Sequence, residues 1–179
     1  MSAFRALNRF VLGFVLGSIC AAAPAQPTES DVKAAFLPRF ARYVSWPASA
    51  APSGADPFVL CVIGNDPFGA DLDTAVRSQS VDGRRIIVRR LGSASGANGC
   101  QVAYVSGTSS EPVESLLSAL RGKPILTVTD AKYGGARGVI HFALVNGRVR
   151  FAIDNSDASR RGLTISSRLL ALAVSVKQR

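Results

Sequence analysis

The longest apolar run, Phe10 to Cys20, stands near the start of the chain, behind Arg5 and Arg9 and ahead of the small residues Ala21 to Ala25. A basic start, an apolar middle and a small-residue end is the order of a secretory leader, which predicts cleavage after Ala25 or slightly earlier at Ala23. The run is shorter than the ~20 residues a membrane-spanning helix needs, and no later stretch approaches that length. The mature part is therefore expected not to span a membrane. Leu16-Gly17-Ser18-Ile19-Cys20 offers a rival lipoprotein reading, against which Ile19 stands where that cut takes a small residue. The organisation expected is a leader over 1–25 and a single domain over 26–179.

Beyond the leader, Val32, Phe36, Phe40 and Val44 recur every four residues, with Ala35 and Tyr43 beside them. This period predicts an amphipathic helix from Glu29 to Ser45 that turns Lys33, Arg39 and Arg42 to water, with a kink or early stop at Pro38. After a loop over Ala48 to Pro57, Phe58 to Ile63 is apolar on both alternating faces, as a central parallel strand is. Gly64 to Gly69 reads as a turn, Ala70 to Arg77 as a short helix, and Arg85 to Leu91 as a second strand. Strands over Val102 to Val105 and Pro124 to Thr129 bracket a helix over Glu111 to Leu120.

The last third changes character. Asn146-Gly147 between Val139 to Val145 and Arg148 to Ile153 is a strong hairpin signal, because both turn residues tolerate positive φ. Alternation puts Val149, Phe151 and Ile153 on the inner face and Arg148 and Arg150 outside. A helical turn over Ser156 to Arg161 follows. A final helix is expected after the N-cap Ser166 or Ser167, with Leu169, Leu170, Ala173 and Val174 on its apolar stripe. The order of strands and helices predicts an α/β fold, Rossmann-like, whose mostly parallel sheet is flanked by helices and followed by a C-terminal β-hairpin and terminal helix.

Removing Arg5 and Arg9 from 21 basic and 12 acidic side chains leaves 19 against 12, a net charge of +7 for the mature part. The basic residues are scattered in pairs rather than gathered in a tract, so a solvated surface is expected and no nucleic-acid partner. A negatively charged membrane face or an acidic partner patch stays compatible with the sign. Once Cys20 leaves with the leader, Cys61 and Cys100 remain in an oxidising compartment. A disulfide between them is the economical expectation, with two buried free thiols as the alternative.

Catalysis has no visible carrier. The single histidine, His141, lies in a hairpin strand away from any nucleophile motif, and Gly92 to Gly96 places Ala94 where a nucleophile elbow has serine. Gly64 to Gly69 lacks the Lys-Ser/Thr of a phosphate loop. Asp66, Asp71 and Asp73 straddle a helix start, where carboxylates serve as caps. Gly134 to Gly138 has the spacing of a backbone anion cradle, which a tight approach to the hairpin explains equally well. No catalytic residue, metal site or cofactor is expected, and binding is the function that remains.

The same blocks resemble the YfiR family of periplasmic regulators in composition and order. They are Val32 to Leu37, Phe40-Ala41, Tyr43-Val44, Trp46-Pro47, Cys61 to Gly69, Gly83-Arg84, Val88 to Arg90, Cys100 and Leu126 to Asp130. Gly138 to Ile140, Asn146 to Phe151, Gly162 to Ser167 and Leu169-Leu170 complete the series. The family reads Phe-Glu-Ile-Asn where this chain has Phe151-Ala152-Ile153-Asp154, so no contact through that glutamate carries over. The resemblance implies a periplasmic repressor of an inner-membrane diguanylate cyclase, one that binds the cyclase's periplasmic domain and limits cyclic di-GMP synthesis and biofilm formation. It also implies that Cys61 and Cys100 are bonded to each other; the second disulfide of some members has no cysteines here.

On that reading Ile153, Asp154, Leu163, Ile165 and Leu169 are expected at the partner contact, and a homodimer is left open. A second hypothesis is a small-ligand sensor serving a transporter or sensor kinase. Its pocket would lie at strand ends, formed by Asn65, Asp66, Phe68 and Asp130, because open α/β sheets bind ligands there.

Overall fold

The computed structural model describes residues 26–178, so the leader expected over 1–25 lies outside the described residues. Helix α1 (Glu29–Ala41) opens on a capping box: the Asp31 N–H donates to Thr28 Oγ1 at 3.2 Å and the Thr28 N–H to Asp31 Oδ2 at 2.7 Å. Pro38 does not break the helix, which continues one turn and ends at Ala41, short of the expected Ser45. Val44–Ser45 instead forms strand β1, paired antiparallel with β9 (Thr164–Ile165).

The main elements follow as β2 (Phe58–Gly64), α2 (Ala70–Arg77), β3 (Ser80–Val81), β4 (Arg84–Leu91), β5 (Val102–Gly107), α3 (Val113–Ala119) and β6 (Leu126–Asp130). Then come β7 (Ile140–Val145), β8 (Arg148–Asp154), α4 (Asn155–Arg160), α5 (Ser167–Leu170) and β10 (Ser175–Lys177). Eight strands form one sheet in the order β10-β8-β7-β6-β5-β2-β4-β3. Only the β7–β8 and β3–β4 pairs are antiparallel. This is the expected α/β architecture, with β2 and β5 meeting where the strand order reverses. Asn146 and Gly147 take φ of 51° and 70°, the turn their sequence predicts. The final helix begins after Ser166 as expected but lasts one turn, and the chain then runs as β10 parallel to β8.

Each face of the sheet carries its own core. On the first face Leu60, Val62, Val102, Tyr104, Val128, Ile140, Phe142 and Phe151 meet α1, α2 and α5. The α1 rings carry much of this contact: Phe40 lies 5.6 Å from Phe142 and 5.0 Å from Phe151 between centroids, and Phe36 5.8 Å from Phe151. On the second face Cys61, Ile63, Ala103 and Val105 pack under α3 through Val113, Leu116 and Leu120. The disulfide joins Cys61 to Cys100 here, with Cα atoms 5.9 Å apart and a sequence separation of 39.

Closing a loop of that length is worth about 4 kcal/mol in the chain-entropy description. The Cys61→Ala/Cys100→Ala variant is expected to melt about ten degrees below the parent chain. Equal melting temperatures in calorimetry would show that the bond contributes nothing to stability.

Candidate functional site

The point where the strand order reverses is closed by backbone. The Asn65 N–H donates to the Gly107 carbonyl at 2.9 Å, and a Cβ on Gly64 would stand 2.4 Å from that same oxygen. With φ of +99°, Gly64 is the residue type this approach requires. Asp66 then folds the turn back on itself, accepting from the Phe68 N–H at 2.8 Å and from Arg90 Nε at 2.6 Å. Arg90 also reaches Asp73 at 2.9 Å, so one guanidinium ties the turn, α2 and β4 together. Two flanking carboxylates raise the Arg90 pKa, Asp73 first and Asp66 second.

Phe68 points inward, edge-on to Tyr104 with ring centroids 4.7 Å apart. The Tyr104 hydroxyl donates to Asp130 Oδ2 at 3.2 Å, and the Lys132 N–H to Asp130 Oδ1 at 3.0 Å. The third partner of Asp130 is the Lys33 ammonium, which also bonds Glu29. Lys33 is therefore not on the wet side of α1: the Lys33 and Asp130 side chains are each 4% exposed, in a buried ion pair at the end of β6. Burial first, and the Asp130 charge second, push the Tyr104 pKa upward, which keeps the phenol a donor.

Of the four residues expected at a strand-end pocket, Phe68 and Asp130 are thus linked through Tyr104 inside the core. Asp66 is engaged by Arg90, and Asn65 lies on the exposed side of the turn. The residues expected at the partner contact are placed differently again. Ile153, Leu163, Ile165 and Leu169 are buried in the first-face core. Asp154 caps α4 through the Asp157 N–H at 2.8 Å and binds Lys177 at 2.9 Å. Burial works against the Asp154 carboxylate, but these donors and Ser156 outweigh it and hold its pKa below the ordinary value.

The exposed apolar surface lies elsewhere, at the turn end of the β7–β8 hairpin. Leu144 and Val149 are cross-strand partners on the face that carries Phe142 and Phe151, two positions further toward the turn. The α1 residues Val32 and Phe36 lie beside them, and together they line a groove of about 460 Å3 bordered by Arg148. Leu144 is 54% exposed, an inner-face residue left without a cover. Nearby on the same sheet edge, the Val174 N–H donates to the Phe151 carbonyl at 2.9 Å, and Val174 and Leu172 are 53% and 63% exposed. Sequence alternation placed Val149 on the inner face; that α1 stops short of Leu144 was not readable from it.

His141 is buried, with Nδ1 2.9 Å from the Thr129 hydroxyl. Burial, then the Arg137 charge, holds the imidazole below its ordinary pKa. Among the described residues no group of three or more His, Cys, Asp or Glu is placed to hold a metal, and no helix is long and apolar enough to cross a membrane.

Two outcomes follow from these buried charges. Lys33→Met is expected to cost about 3–5 kcal/mol in denaturant unfolding, because it leaves Asp130 buried and unpaired. Lys33→Met/Asp130→Leu should recover most of that loss; strictly additive losses would show that the two groups are not coupled. For His141 the unfolded chain takes up a proton first as pH falls through about 6.5, so stability is lost below that pH and levels off under the folded pKa. Melting between pH 7.5 and 5 should fall less steeply in His141→Gln than in the parent, while the lowered Asp154 acts only at more acid pH. Parallel curves would refute this assignment.

A family model described as YfiR/HmsC-like matches residues 30–174, the whole folded domain but for its ends. No curated relative matches the chain at the significance that would let residue roles be transferred.

Proposed function

The chain belongs to the YfiR/HmsC-like family, and on that premise we propose that it is an exported regulator that acts by docking. Its target on this reading is the periplasmic part of an inner-membrane diguanylate cyclase, whose output of cyclic di-GMP it holds down. The observation that carries the reading is the extent of the family match, which runs unbroken from α1 to the link before β10. A disulfide buried in the second-face core fits a protein that folds in an oxidising compartment.

The surface that suits docking is the groove of Val32, Phe36, Leu144 and Val149, with the exposed Val174 hydrogen-bonded to the neighbouring Phe151. Apolar side chains left uncovered beside a fully formed core are what an interface centre is made of, and the Arg148 rim gives the contact a preference for an acidic partner. Ile153, Leu163, Ile165 and Leu169 belong to the core of the same face and hold β8, β9 and α5 in place.

Cells lacking the chain should contain more cyclic di-GMP, and the parent chain should restore the low level. Leu144→Asp is expected to melt within about a degree or two of the parent, since surface changes stay within roughly 0.5 kcal/mol, yet to fail to restore it. It should also lose cross-linking to the membrane cyclase. Full restoration by Leu144→Asp would remove the groove from the contact, and unchanged cyclic di-GMP in the deletion would remove the function itself.

A further inference from the structure

A second concave site lies on the opposite face of the sheet, in a cleft of about 470 Å3 between α3, the β6–β7 connection and α4. Its walls carry Arg121 and Arg137, with Arg160 and Arg161 on the α4 side and Glu114, Asp154 and Asp157 as the acidic residues. Most of that acid is already answered. Asp154 is held by Lys177 at 2.9 Å, and Asp157 by Arg161 at 2.8 Å and Arg160 at 3.2 Å. Glu114 opens α3 while Arg121 follows its C-cap, about 10 Å further along the axis. Among the described residues Arg121 and Arg137 form no ion pair, and both are exposed to the cleft's solvent.

The cleft is held open by a buried strut. Arg161, whose side chain is 5% exposed, donates to the Leu120 carbonyl at 2.8 Å while pairing with Asp157. That contact caps the C-terminal end of α3, where a cation is favoured, and clamps α3 to α4. Leu117 and Ala136 supply an apolar strip between the charges. A preformed hollow of small-molecule size with an apolar strip and two unpaired guanidinium groups is a site built for a small anion.

We propose that this cleft binds a small multivalent anion, bearing carboxylate or phosphate groups, through Arg121 and Arg137 with Arg160 as the third donor. The bidentate fork of each guanidinium matches either oxyanion. The site is separate from the groove on the first face, and its test does not depend on the partner.

Isothermal titration of the full mature chain with citrate and with pyrophosphate, at constant ionic strength, reads the site directly. Saturable binding of at least one of them is expected, and the tighter of the two identifies carboxylate or phosphate as the preferred chemistry. Arg121→Gln/Arg137→Gln should weaken it about tenfold or more, while melting without anion stays at the parent value because both side chains are exposed. Arg85→Gln, an exposed arginine on β4, should bind as the parent does. Absence of saturable binding by both anions, or equal weakening by Arg85→Gln, would overturn the proposal.

Discussion

A buried ammonium at the end of β6 decides where the first helix lies. The aromatic contacts of α1 with the sheet are extensive, but ring packing tolerates sliding and rotation, whereas an ion pair without water does not. Taking Lys33 and Asp130 out of solvent costs several kcal/mol for each charge, offset only when every lone pair and proton finds a partner. Here Asp130 receives Lys33, the Tyr104 hydroxyl and the Lys132 N–H, and Lys33 has Glu29 as its second acceptor. The Phe142 ring lies under the ammonium at 5.9 Å and adds a further attraction. Helix α1 therefore has one position, with Phe36 and Phe40 over β7 and β8.

That position leaves the hairpin overhanging. The β7–β8 ladder continues from Phe142↔Phe151 to Leu144↔Val149 and Val145↔Arg148, beyond the first turn of α1. The groove is thus the place where the cover runs out, and its depth depends on the same ion pair that fixes the cover. The second face is organised by other means. There the disulfide, α3 and the Arg161 strut hold the layers together, and the hollow left between them is charged rather than apolar.

Much of this was legible in the chain. The strands stood out because β2, β5 and β6 are buried on both faces and read as short apolar runs, and because Asn146-Gly147 leaves little choice of turn. What misled was phase. The four-residue spacing of Val32, Phe36, Phe40 and Val44 is real, yet the buried stripe of α1 is Lys33, Ala34, Leu37, Phe40 and Ala41, and Val44 belongs to a strand. A lysine among alanines reads as a wet position, and it is the carboxylate of Asp130, 97 residues away, together with Glu29 that offsets the cost of its burial. Leu169 and Leu170 read as the start of a long apolar stripe, but the edge of β8 offered Ser175–Lys177 a backbone partner and the helix ended after one turn. The apolar residues expected at a partner contact lie in the core: Ile153, Leu163 and Ile165 close the far end of the first face, a demand no local pattern displays.

Size sets the remaining constraint on docking. A groove of about 460 Å3 accepts one or two side chains, whereas a specific protein contact buries ~1,200–2,000 Å2 in total. The contact therefore has to run outward from Leu144 and Val149, and the sheet offers one direction. The register Ser175↔Ala152 and Val176↔Ile153 places Val174 beside Phe151, so Val174 extends the apolar surface toward the edge. β10 ends the sheet there, and its outer N–H and C=O groups have no neighbouring strand among the described residues. A partner seated in the groove and reaching across β10 gains both apolar area and backbone hydrogen bonds, the combination by which strand edges recruit extended segments. In the free protein the edge is protected by its brevity and by Lys177, which is paired with Asp154 and carries charge where edge-to-edge association would otherwise begin.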